Sequence, residues 1–546
     1  KDTVYTVSVG DGGSGGLIGG SSSFGSVIAS GGLGSTNETI PLLFYENTKW
    51  MKDITLFDIK VAGVGYSNIE EQIIKNKNPG ISFNNPKPSI GAGSTFANPS
   101  EGKYQGLNST SLYSIYPNSN IGSYINTNIY FGDGGVAATE YKKIIQVYSC
   151  GRNSDGKLGR TGGNTTIPEQ ITSNINNINI VAISANEMHS LFLDSYGQVY
   201  SCGKGTNGEL GHGNINRYNF PTQINAFINS NIVAISAGYN GYSLFLDSTG
   251  KVYSCGNNYY GQLGISGDNI LIPTLITSNI QNCNIVSISG DGLHSLFLDS
   301  NGKVYSCGGN GSGQLGRTTT TTINRQLADS NILEVDTTNL INCNIVGISA
   351  GNNFSLFLDS NGKVYSCGGN GSQQLGRGYI DSDSSTSTRP IQITSNLSNI
   401  VAISAGERHS LFLDSTGKVY SCGMNYYGQL GRTGGNTTIP EQITTNIQNC
   451  NIVAISAGGY HSLFLDSNGK VYSCGVNTSG QNGLGTQTQT DFPKLITTNL
   501  NNRNIVAIIG GYNHSLFITA SVQQTTPTPT LIPSSGMGGT GGAINS

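Results

Sequence analysis

The sequence has 546 residues, of which 11% are charged, and its formal net charge is -3. A chain of this length favours more than one domain. Because Lys and Arg are not in excess, the long-range attraction on which nucleic-acid and membrane-surface binding depend is missing, and we expect neither partner. No apolar run reaches the roughly 18 residues of a transmembrane helix, so membrane insertion is not expected.

Residues 1–36 are dominated by Gly and Ser, and we predict that they form a module of their own. The segments YTVSVG and SSFGSVIASGG show a β-type alternation and apolar anchors. A flexible linker, which is the alternative interpretation, needs neither feature. Residues 6–36 resemble the glycine-rich modules of bacteriophage and giant-virus fibre and surface proteins. That resemblance implies a structural role in a virion or on a surface.

Residues 37–143 are a second region, rich in Asn, Ser, Gly and Tyr, with no strong hydrophobic period. One candidate helix lies over 68–78, where the chain reads NIEEQIIKNKN. The sequence predicts no fold for the remainder of this region.

From residue 144 to residue 519 the chain is a repeat. The segment VYSCG occurs seven times, and its cysteines follow one another at intervals of 52, 53, 52, 60, 55 and 52 residues. Each unit contains four apolar runs of strand length, typified by PEQIT (168–172), NIVAIS (179–184), SLFLD (190–194) and VYSCG. Four short strands per unit are typical of one blade of a β-propeller.

The two ends of the array complement each other. The first strand, at 147–150, is of the VYSC type, whereas the last, at 515–518, is of the SLFI type. If these two strands pair, the ring closes and leaves no exposed edge strand. We therefore predict an all-β chain: a seven-bladed β-propeller of four-stranded blades over 144–519, closed by its N- and C-terminal strands, plus the N-terminal glycine-rich β-type module.

The repeat unit itself carries a resemblance. The segment NIVAISAGGYHSLFLDSNGKVYSCGVNTSGQNGLG (451–485) resembles the regulator of chromosome condensation repeat, and all seven units match it. The founding member of that family is a nucleotide exchange factor for a nuclear small GTPase, and it also binds chromatin. A plant ultraviolet-B receptor of the family senses light through propeller tryptophans. The single tryptophan here, Trp50, lies outside the array, so light sensing is not implied.

Residues 520–546 are a Thr/Pro-rich and then Gly-rich tail. Its prolines favour an extended polyproline II conformation, which acts as a semi-rigid spacer. Both ends of the chain are therefore predicted to tether a rigid disc.

A histidine precedes SLFL in five of the seven units, and Tyr242 and Phe354 take its place in the other two. A ring of imidazoles could bind a metal or sense pH. Equivalent positions on different blades are far apart, however, and aromatic replacements favour a packed structural role. The Asp that ends each SLFLD strand is expected to cap the following hairpin. The histidines are His189, His294, His409, His461 and His514.

The cysteines bear on the cellular compartment. Those of VYSCG occupy one strand position on seven blades, beyond the roughly 7 Å between Cα atoms that a disulfide allows, so we predict buried free thiols. Cys283, Cys343 and Cys450 are spread around the ring as well, and no CxxC pair suggests zinc. Folding in a reducing compartment is therefore expected. The repeat cysteines are Cys150, Cys202, Cys255, Cys307, Cys367, Cys422 and Cys474.

Two stretches depart from the repeat and are candidate contact loops, because function in propellers resides in such loops. They read RTTTTTINRQLADSNILEVD (317–336) and RGYIDSDSSTSTRP (377–390). Tolerated insertions are the alternative interpretation. The candidate interaction residues are Arg317, Asn324, Arg325, Glu334, Asp336, Tyr379, Asp381, Asp383 and Arg389.

The sequence shows no nucleophile and base pair, metal cluster or phosphate loop, so we predict no catalytic residue, no metal, no cofactor and no enzyme. Our first hypothesis is a non-enzymatic structural and interaction protein, a fibre or decoration component of a virion or cell surface that acts in assembly or host attachment. Its partners would be proteins of that assembly, with glycans or a receptor as further ligands. The alternative is a cytoplasmic regulator, such as an exchange factor for a Ran-like small GTPase or a propeller adaptor.

Overall fold

The computed structural model describes residues 3–9, 21–24, 27–30, 38–44, 60–63, 82–83, 94–96 and 140–525, the last range with gaps at 228–229, 320–321, 324–325, 341–342 and 379–385. Its N-terminal part contains two small sheets, with strand orders β1-β4-β6 and β2-β3-β5-β7. These strands are β1 (Thr3–Val9), β2 (Ser21–Phe24), β3 (Val27–Ser30), β4 (Glu38–Phe44), β5 (Lys60–Gly63), β6 (Ser82–Phe83) and β7 (Ser94–Phe96). The helix predicted over 68–78 lies outside the described residues, as does most of the glycine-rich segment.

The repeat array forms seven antiparallel sheets, which confirms the predicted seven-bladed propeller. Blade 1 comprises β10 (Ile180–Ala185), β11 (His189–Asp194), β12 (Val199–Gly203) and β13 (Tyr218–Gln223). Blade 2 comprises β14 (Ile232–Gly238), β15 (Tyr242–Asp247), β16 (Val252–Gly256) and β17 (Ile270–Leu275). Blade 3 comprises β18 (Ile285–Asp291), β19 (His294–Asp299), β20 (Val304–Gly309), the short β21 (Thr322–Ile323) and β22 (Gln326–Glu334). Among the described residues, the helical content is one 3-10 turn, Asn225–Phe227.

The remaining blades follow the same order. Blade 4 comprises β23 (Ile345–Ala350), β24 (Phe354–Asp359), β25 (Val364–Gly369) and β26 (Thr386–Gln392). Blade 5 comprises β27 (Ile400–Ala405), β28 (His409–Asp414), β29 (Val419–Gly423) and β30 (Thr437–Gln442). Blade 6 comprises β31 (Ile452–Ala457), β32 (His461–Asp466), β33 (Val471–Gly475) and β34 (Thr490–Leu495). Blade 7 comprises β35 (Ile505–Gly510), β36 (His514–Thr525), β8 (Glu140–Gly151) and β9 (Thr165–Gln170).

Blade 7 closes the ring, as the ends of the array predicted. Its strand order is β35-β36-β8-β9, so two strands come from each end of the array. Just beyond β8, the amide of Arg152 donates to the carbonyl of Asn513, 2.8 Å away. The structure groups the strands differently from the repeat unit in one respect. The PEQIT strand pairs with the VYSCG strand before it and forms the outer edge of that blade, so each blade begins at NIVAIS.

The hydrophobic core lies between the blades. Every residue is buried in β11, β19, β24, β28 and β32. Because a neighbouring blade covers each face of the second strand, SLFLD reads as a continuous apolar run without alternation. One cluster joins Leu356 of blade 4, Phe412 of blade 5 and Phe464 of blade 6. Burying each such side chain stabilises the fold by about 1.5–3 kcal/mol.

The hairpin between the second and third strands is encoded locally, as expected. In blade 1 the Oδ1 atom of Asp194 accepts the amides of Tyr196 and Gln198, each at 2.9 Å. Gly197 supplies the positive φ, 78°, that the tight turn requires. This confirms the predicted role of the strand-ending Asp as a hairpin cap.

Candidate functional site

The four described candidate residues of the two predicted contact loops form ion pairs. Arg317 is only 6% exposed, and its Nη1 atom lies 3.0 Å from Asp329 Oδ2, so it acts inside blade 3. Glu334 pairs with Lys303 across the same sheet at 3.2 Å. Asp336 and Arg389, from the two different loops, meet at 2.7 Å. Asn324, Arg325, Tyr379, Asp381 and Asp383 lie outside the described residues.

The repeated cysteines and the serine after each repeat histidine belong to one recurring contact between blades, which we call the latch. In the latch a carbonyl of the GQLG-type loop accepts hydrogen bonds from Ser and Cys of the next blade. Between blades 5 and 6, the carbonyl of Gln429 accepts from Ser462 Oγ at 2.7 Å and from Cys474 Sγ at 3.8 Å. The same contact recurs at all seven blade junctions.

The repeat histidines extend the latch. His409 Nε2 lies 3.0 Å from Ser462 Oγ. Because that serine uses its one hydroxyl proton on the Gln429 carbonyl, the imidazole must donate, and its proton is on Nε2. Burial, and then the neighbouring His461, lower the pKa of His409 to about 3. The other four bonds are His189 to Ser243, His294 to Ser355, His461 to Ser515 and His514 to Ser190, at 2.8 to 2.9 Å.

These geometries leave little reactivity in the repeated residues. Each of the seven latch cysteines has no exposed surface, and none of the ten cysteines, all of which lie in the described residues, forms a disulfide. Burial raises the pKa of the latch thiols well above its usual range, so they remain protonated. In the part of the chain that the structure describes, no group of three or more His, Cys, Asp or Glu side chains could hold a metal ion.

A different set of residues stands out at one mouth of the central channel. Five tyrosines there form a continuous row, which we call the tyrosine arc: Tyr426, Tyr427, Tyr460, Tyr512 and Tyr239. Consecutive ring centroids are 4.9, 5.5, 5.6 and 5.2 Å apart, which is the range of favourable aromatic pairs. The outermost ring, Tyr426, is 75% exposed, whereas Tyr512 and Tyr239 line the channel. The arc thus runs from solvent to the channel.

Three carboxyl groups share this mouth, and we call them the acidic mouth: Glu187, Asp291 and Glu407. Asn186 reaches across blade 2 to donate to Asp291 at 2.8 Å, and Asn352 donates to Glu407 at 2.6 Å. Burial raises the pKa of Asp291 to about 6. Burial, followed by the charge of Asp291, raises the pKa of Glu407 to about 7. The mouth therefore holds carboxyl groups that ionise less readily than carboxyl groups in water.

Behind the mouth lies a cavity of about 120 Å³, lined by the first strand of every blade. Its walls carry small residues, and serines join neighbouring strands: Ser404 Oγ accepts the amide of Ala457 at 2.9 Å, for example. A space of this size holds several water molecules or one polar side-chain head group, since a single water needs roughly 10–15 Å³. The mouth and cavity together suit a small cationic or hydrogen-bonding group.

No long insertion marks this mouth, unlike the two predicted contact loops at 317–336 and 377–390. Tyr426 and Tyr427 lie in the loop between the third and fourth strands of blade 5. The other mouth residues lie in, or directly before, the short loops between the first and second strands, whose sequences vary from unit to unit. Those loops read NEM at 186–188, YNG at 239–241, GER at 406–408 and GGY at 458–460. The differences among these loops, within units that are otherwise nearly uniform, are the sequence signal that could have indicated the mouth.

Comparison with protein families decides the classification. The RCC1-like domain model matches residues 254–526, half of the chain. Models of the regulator of chromosome condensation (RCC1) repeat match residues 146–193, 196–244 and 232–262. The chain belongs to the RCC1-like domain family. This membership confirms the resemblance found in the repeat unit.

Characterised relatives of the RCC1-like chain differ in their activities. The ultraviolet-B receptor UVR8 of Arabidopsis thaliana is 28% identical over 342 residues, which cover 62% of this chain and 74% of UVR8. The E3 ubiquitin-protein ligase HERC2 of Homo sapiens is 28% identical over 324 residues, 58% of this chain. Because this chain spans only 6% of HERC2, ligase activity is not carried over.

A solved structure shows the same fold. Prp20p of Saccharomyces cerevisiae, described with its binding to Gsp1p and histones, has a TM-score of 0.60 and 23% identity. The match covers 69% of this chain and 91% of Prp20p. At this identity the likeness concerns the fold. In the described residues of this chain, no helix has the length and hydropathy to cross a membrane.

Proposed function

We propose that this RCC1-like chain is a non-enzymatic adaptor or regulator that binds a protein partner through the tyrosine arc and the acidic mouth. The tyrosine arc carries the proposal. Tyrosine is enriched among the residues that dominate binding energy at interfaces, because its rigid ring buries a large area and its hydroxyl group can still form hydrogen bonds. An exposed ring such as Tyr426, continuous with partly buried rings, is a surface suited to a partner.

Family membership supports this proposal more than the virion hypothesis. Prp20p is described as binding proteins, and it also appears in a solved complex with Kap60. The family matches lie in the propeller, and they give no support to a virion, surface-fibre or host-attachment role. A protein of this kind would act in a reducing compartment such as the cytoplasm, which agrees with ten cysteines that form no disulfide in the described residues.

The test is quantitative affinity capture from the source cells with wild type and Tyr426→Ser, followed by mass spectrometry. Tyr259→Ser is the matched control, because Tyr259 is also exposed and also packs on an adjacent tyrosine, at 4.8 Å, in the equivalent loop of blade 2. We expect a partner that Tyr426→Ser loses and the control retains. Equal capture by all three proteins would overturn the proposal.

A second candidate is nucleotide exchange on a Ran-like small GTPase. The observation that favours it is the fold match with Prp20p, described with its binding to Gsp1p. The test is release of a fluorescent guanine nucleotide from a Ran-type GTPase. Acceleration by the wild-type chain would support exchange, and release at the uncatalysed rate would eliminate this candidate while leaving the adaptor proposal to the capture experiment.

A further inference from the structure

We propose that the acidic mouth takes a basic side chain of the partner, the guanidinium or ammonium group of an extended segment that contains Arg or Lys. The tyrosine arc would pack along the same segment. This inference rests on the proposed function and adds the chemical class of the partner.

The first argument is that Asp291 and Glu407 form no ion pair with a basic side chain in the described residues. Both amide donors at the mouth, Asn186 and Asn352, are neutral. Ion pairs elsewhere in the described residues join Arg or Lys to other carboxylates, and none of them includes Glu187, Asp291 or Glu407. Buried carboxyl groups are normally paired or neutralised. A cation from outside would therefore stabilise the ionised mouth.

The charges around Glu407 agree with this interpretation. Asp291 and Glu187 oppose its ionisation, and the nearby charged group that favours ionisation is Arg408, which is exposed. The phenols of Tyr239, Tyr460 and Tyr512 also lie close enough to be influenced by the Glu407 charge. Glu187 has cations near it as well, because Lys157, Lys204 and Arg152 partly offset the effect of burial on its pKa. An arriving cation would therefore be favoured by Asp291 and Glu407.

Shape supplies the second argument. A cavity of about 120 Å³ is too small for a strand or helix and large enough for one head group. The aromatic faces beside it suit a cation, because the ring quadrupole attracts positive charge within about 6 Å of the centroid. Arginine fits best, since its planar group can stack on tyrosine and form two parallel hydrogen bonds to a carboxylate.

A further buried carboxyl faces the same loops. Glu209 has no exposed surface, and its Oε1 atom lacks a hydrogen-bond partner. A Cβ built on Gly241, in the loop that carries Tyr239, would lie 3.3 Å from Glu209 Oε1 and 3.3 Å from Met188 Sδ. The acidic character of this face therefore extends behind the mouth loops of blades 1 and 2.

The test is fluorescence anisotropy with a labelled Gly/Ser peptide that carries two arginines, compared with the same peptide carrying Lys, Gln or Glu. We expect the Arg peptide to bind at least about tenfold more tightly than the Gln peptide. Glu407→Gln should weaken Arg binding by about tenfold, whereas Asp268→Asn, which removes an exposed carboxylate from a loop of blade 2, should not. Near-ultraviolet circular dichroism checks that both variants are folded.

Acidification gives an independent readout. Because Asp291 and Glu407 have raised pKa values of about 6 and about 7, they lose charge as the pH falls. Binding of the Arg peptide should therefore weaken by about tenfold from pH 8 to about pH 5.5, and the Gln peptide should show no such change. Glu407→Gln should retain only the part of this pH dependence that Asp291 contributes.

Equal affinity for the Arg and Gln peptides, or unchanged Arg affinity in Glu407→Gln, would overturn the inference. The two proposals fail separately. If Tyr426→Ser loses a captured partner but the Arg peptide does not bind, the interaction surface stands and its basic ligand is wrong. If the Arg peptide binds at the mouth but no captured partner depends on Tyr426, the mouth does bind basic side chains, and the proposed partner surface is wrong.

Discussion

The latch between blades and the mouth of the channel come from the same seven repeats, yet their residues follow opposite rules. In the latch, one Ser, one Cys and one loop carbonyl recur at every junction. At the mouth, Glu407, Asp291 and the arc tyrosines each occur in one or a few blades. A group needed seven times stabilises the ring, whereas a group that occurs once can recognise a partner.

Removing one latch serine should have the largest effect on stability. Ser462→Ala leaves the Nε2 proton of His409 without an acceptor and leaves the carbonyl of Gln429 with only the longer bond from Cys474. An unsatisfied buried group costs about 1–3 kcal/mol and a lost hydrogen bond about 1 kcal/mol, so the free energy of unfolding should fall by about 2–4 kcal/mol. Urea unfolding followed by circular dichroism measures this loss in the free energy of unfolding.

The control for this variant is Ser415→Ala, because Ser415 is an exposed hairpin residue. It should change the free energy of unfolding by less than about 0.5 kcal/mol. If both variants lost the same stability, the latch would have no special role. Ser462→Ala should also leave binding at the mouth unchanged while the protein is folded.

The latch histidines should make stability depend on pH. A folded His409 stays neutral down to about pH 3, whereas an unfolded histidine takes a proton below about pH 6.5. The unfolded state therefore binds more protons in this window, and the stability present above about pH 6.5 is lost as the pH falls. Each histidine contributes a slope of about 1.4 kcal/mol per pH unit at its steepest.

His409→Phe tests this slope, since Phe354 shows that the ring tolerates phenylalanine at this position. Relative to wild type, the variant should lose less stability between about pH 6.5 and pH 4.5, by about 2–3 kcal/mol. Phe354→His should do the opposite, because Ser410 is present to accept its proton. Comparing variants at each pH removes the opposing effect of the raised carboxyl groups, which is common to all of them.

Glu209 departs from the residue that most units have at its position, and we expect this departure to destabilise the folded protein. Five blades have Gln at this position, and burial raises the pKa of Glu209 to about 7. A carboxyl whose folded pKa is raised costs stability as the pH rises past its unfolded value. Glu209→Gln should therefore stabilise the protein by about 1–2 kcal/mol at pH 8 and by little at about pH 4.5. Thermal unfolding at the two pH values measures this difference, and an equal gain at both would contradict it.

The ring could be predicted from the sequence because its information is local and repeated. Seven VYSCG segments, apolar runs of strand length and turn residues at fixed places give the blades, and the complementary ends of the array give the closure. The assignment of the PEQIT strand to a blade was less accessible. Its pairing depends on which neighbouring strand lies beside it, and the apolar pattern is the same in either case.

The mouth could not be predicted, because its contacts join loops that are distant in the chain. Asn186 and Asp291 are separated by 105 positions and lie two blades apart. Tyr239 and Tyr512 meet across blade 1. Residues of non-adjacent blades come into contact because the ring is narrow near its axis. That narrowness depends on the assembly of all seven blades, so the sequence of a single unit does not show it. Loop length, which guided the sequence interpretation, selected the outer edge of blades 3 and 4 instead.

The smallest effect on stability should come from the outer end of the tyrosine arc. Tyr426 is 75% exposed, so Tyr426→Ser should change the free energy of unfolding by less than about 0.5 kcal/mol. Binding of a partner should nevertheless weaken by about tenfold or more, because an interface residue contributes only in the complex. Urea unfolding and affinity measurement on the same preparation separate the two quantities. A variant that lost stability and binding in parallel would show that the arc, like the latch, serves the fold, and the contrast between the two regions would disappear.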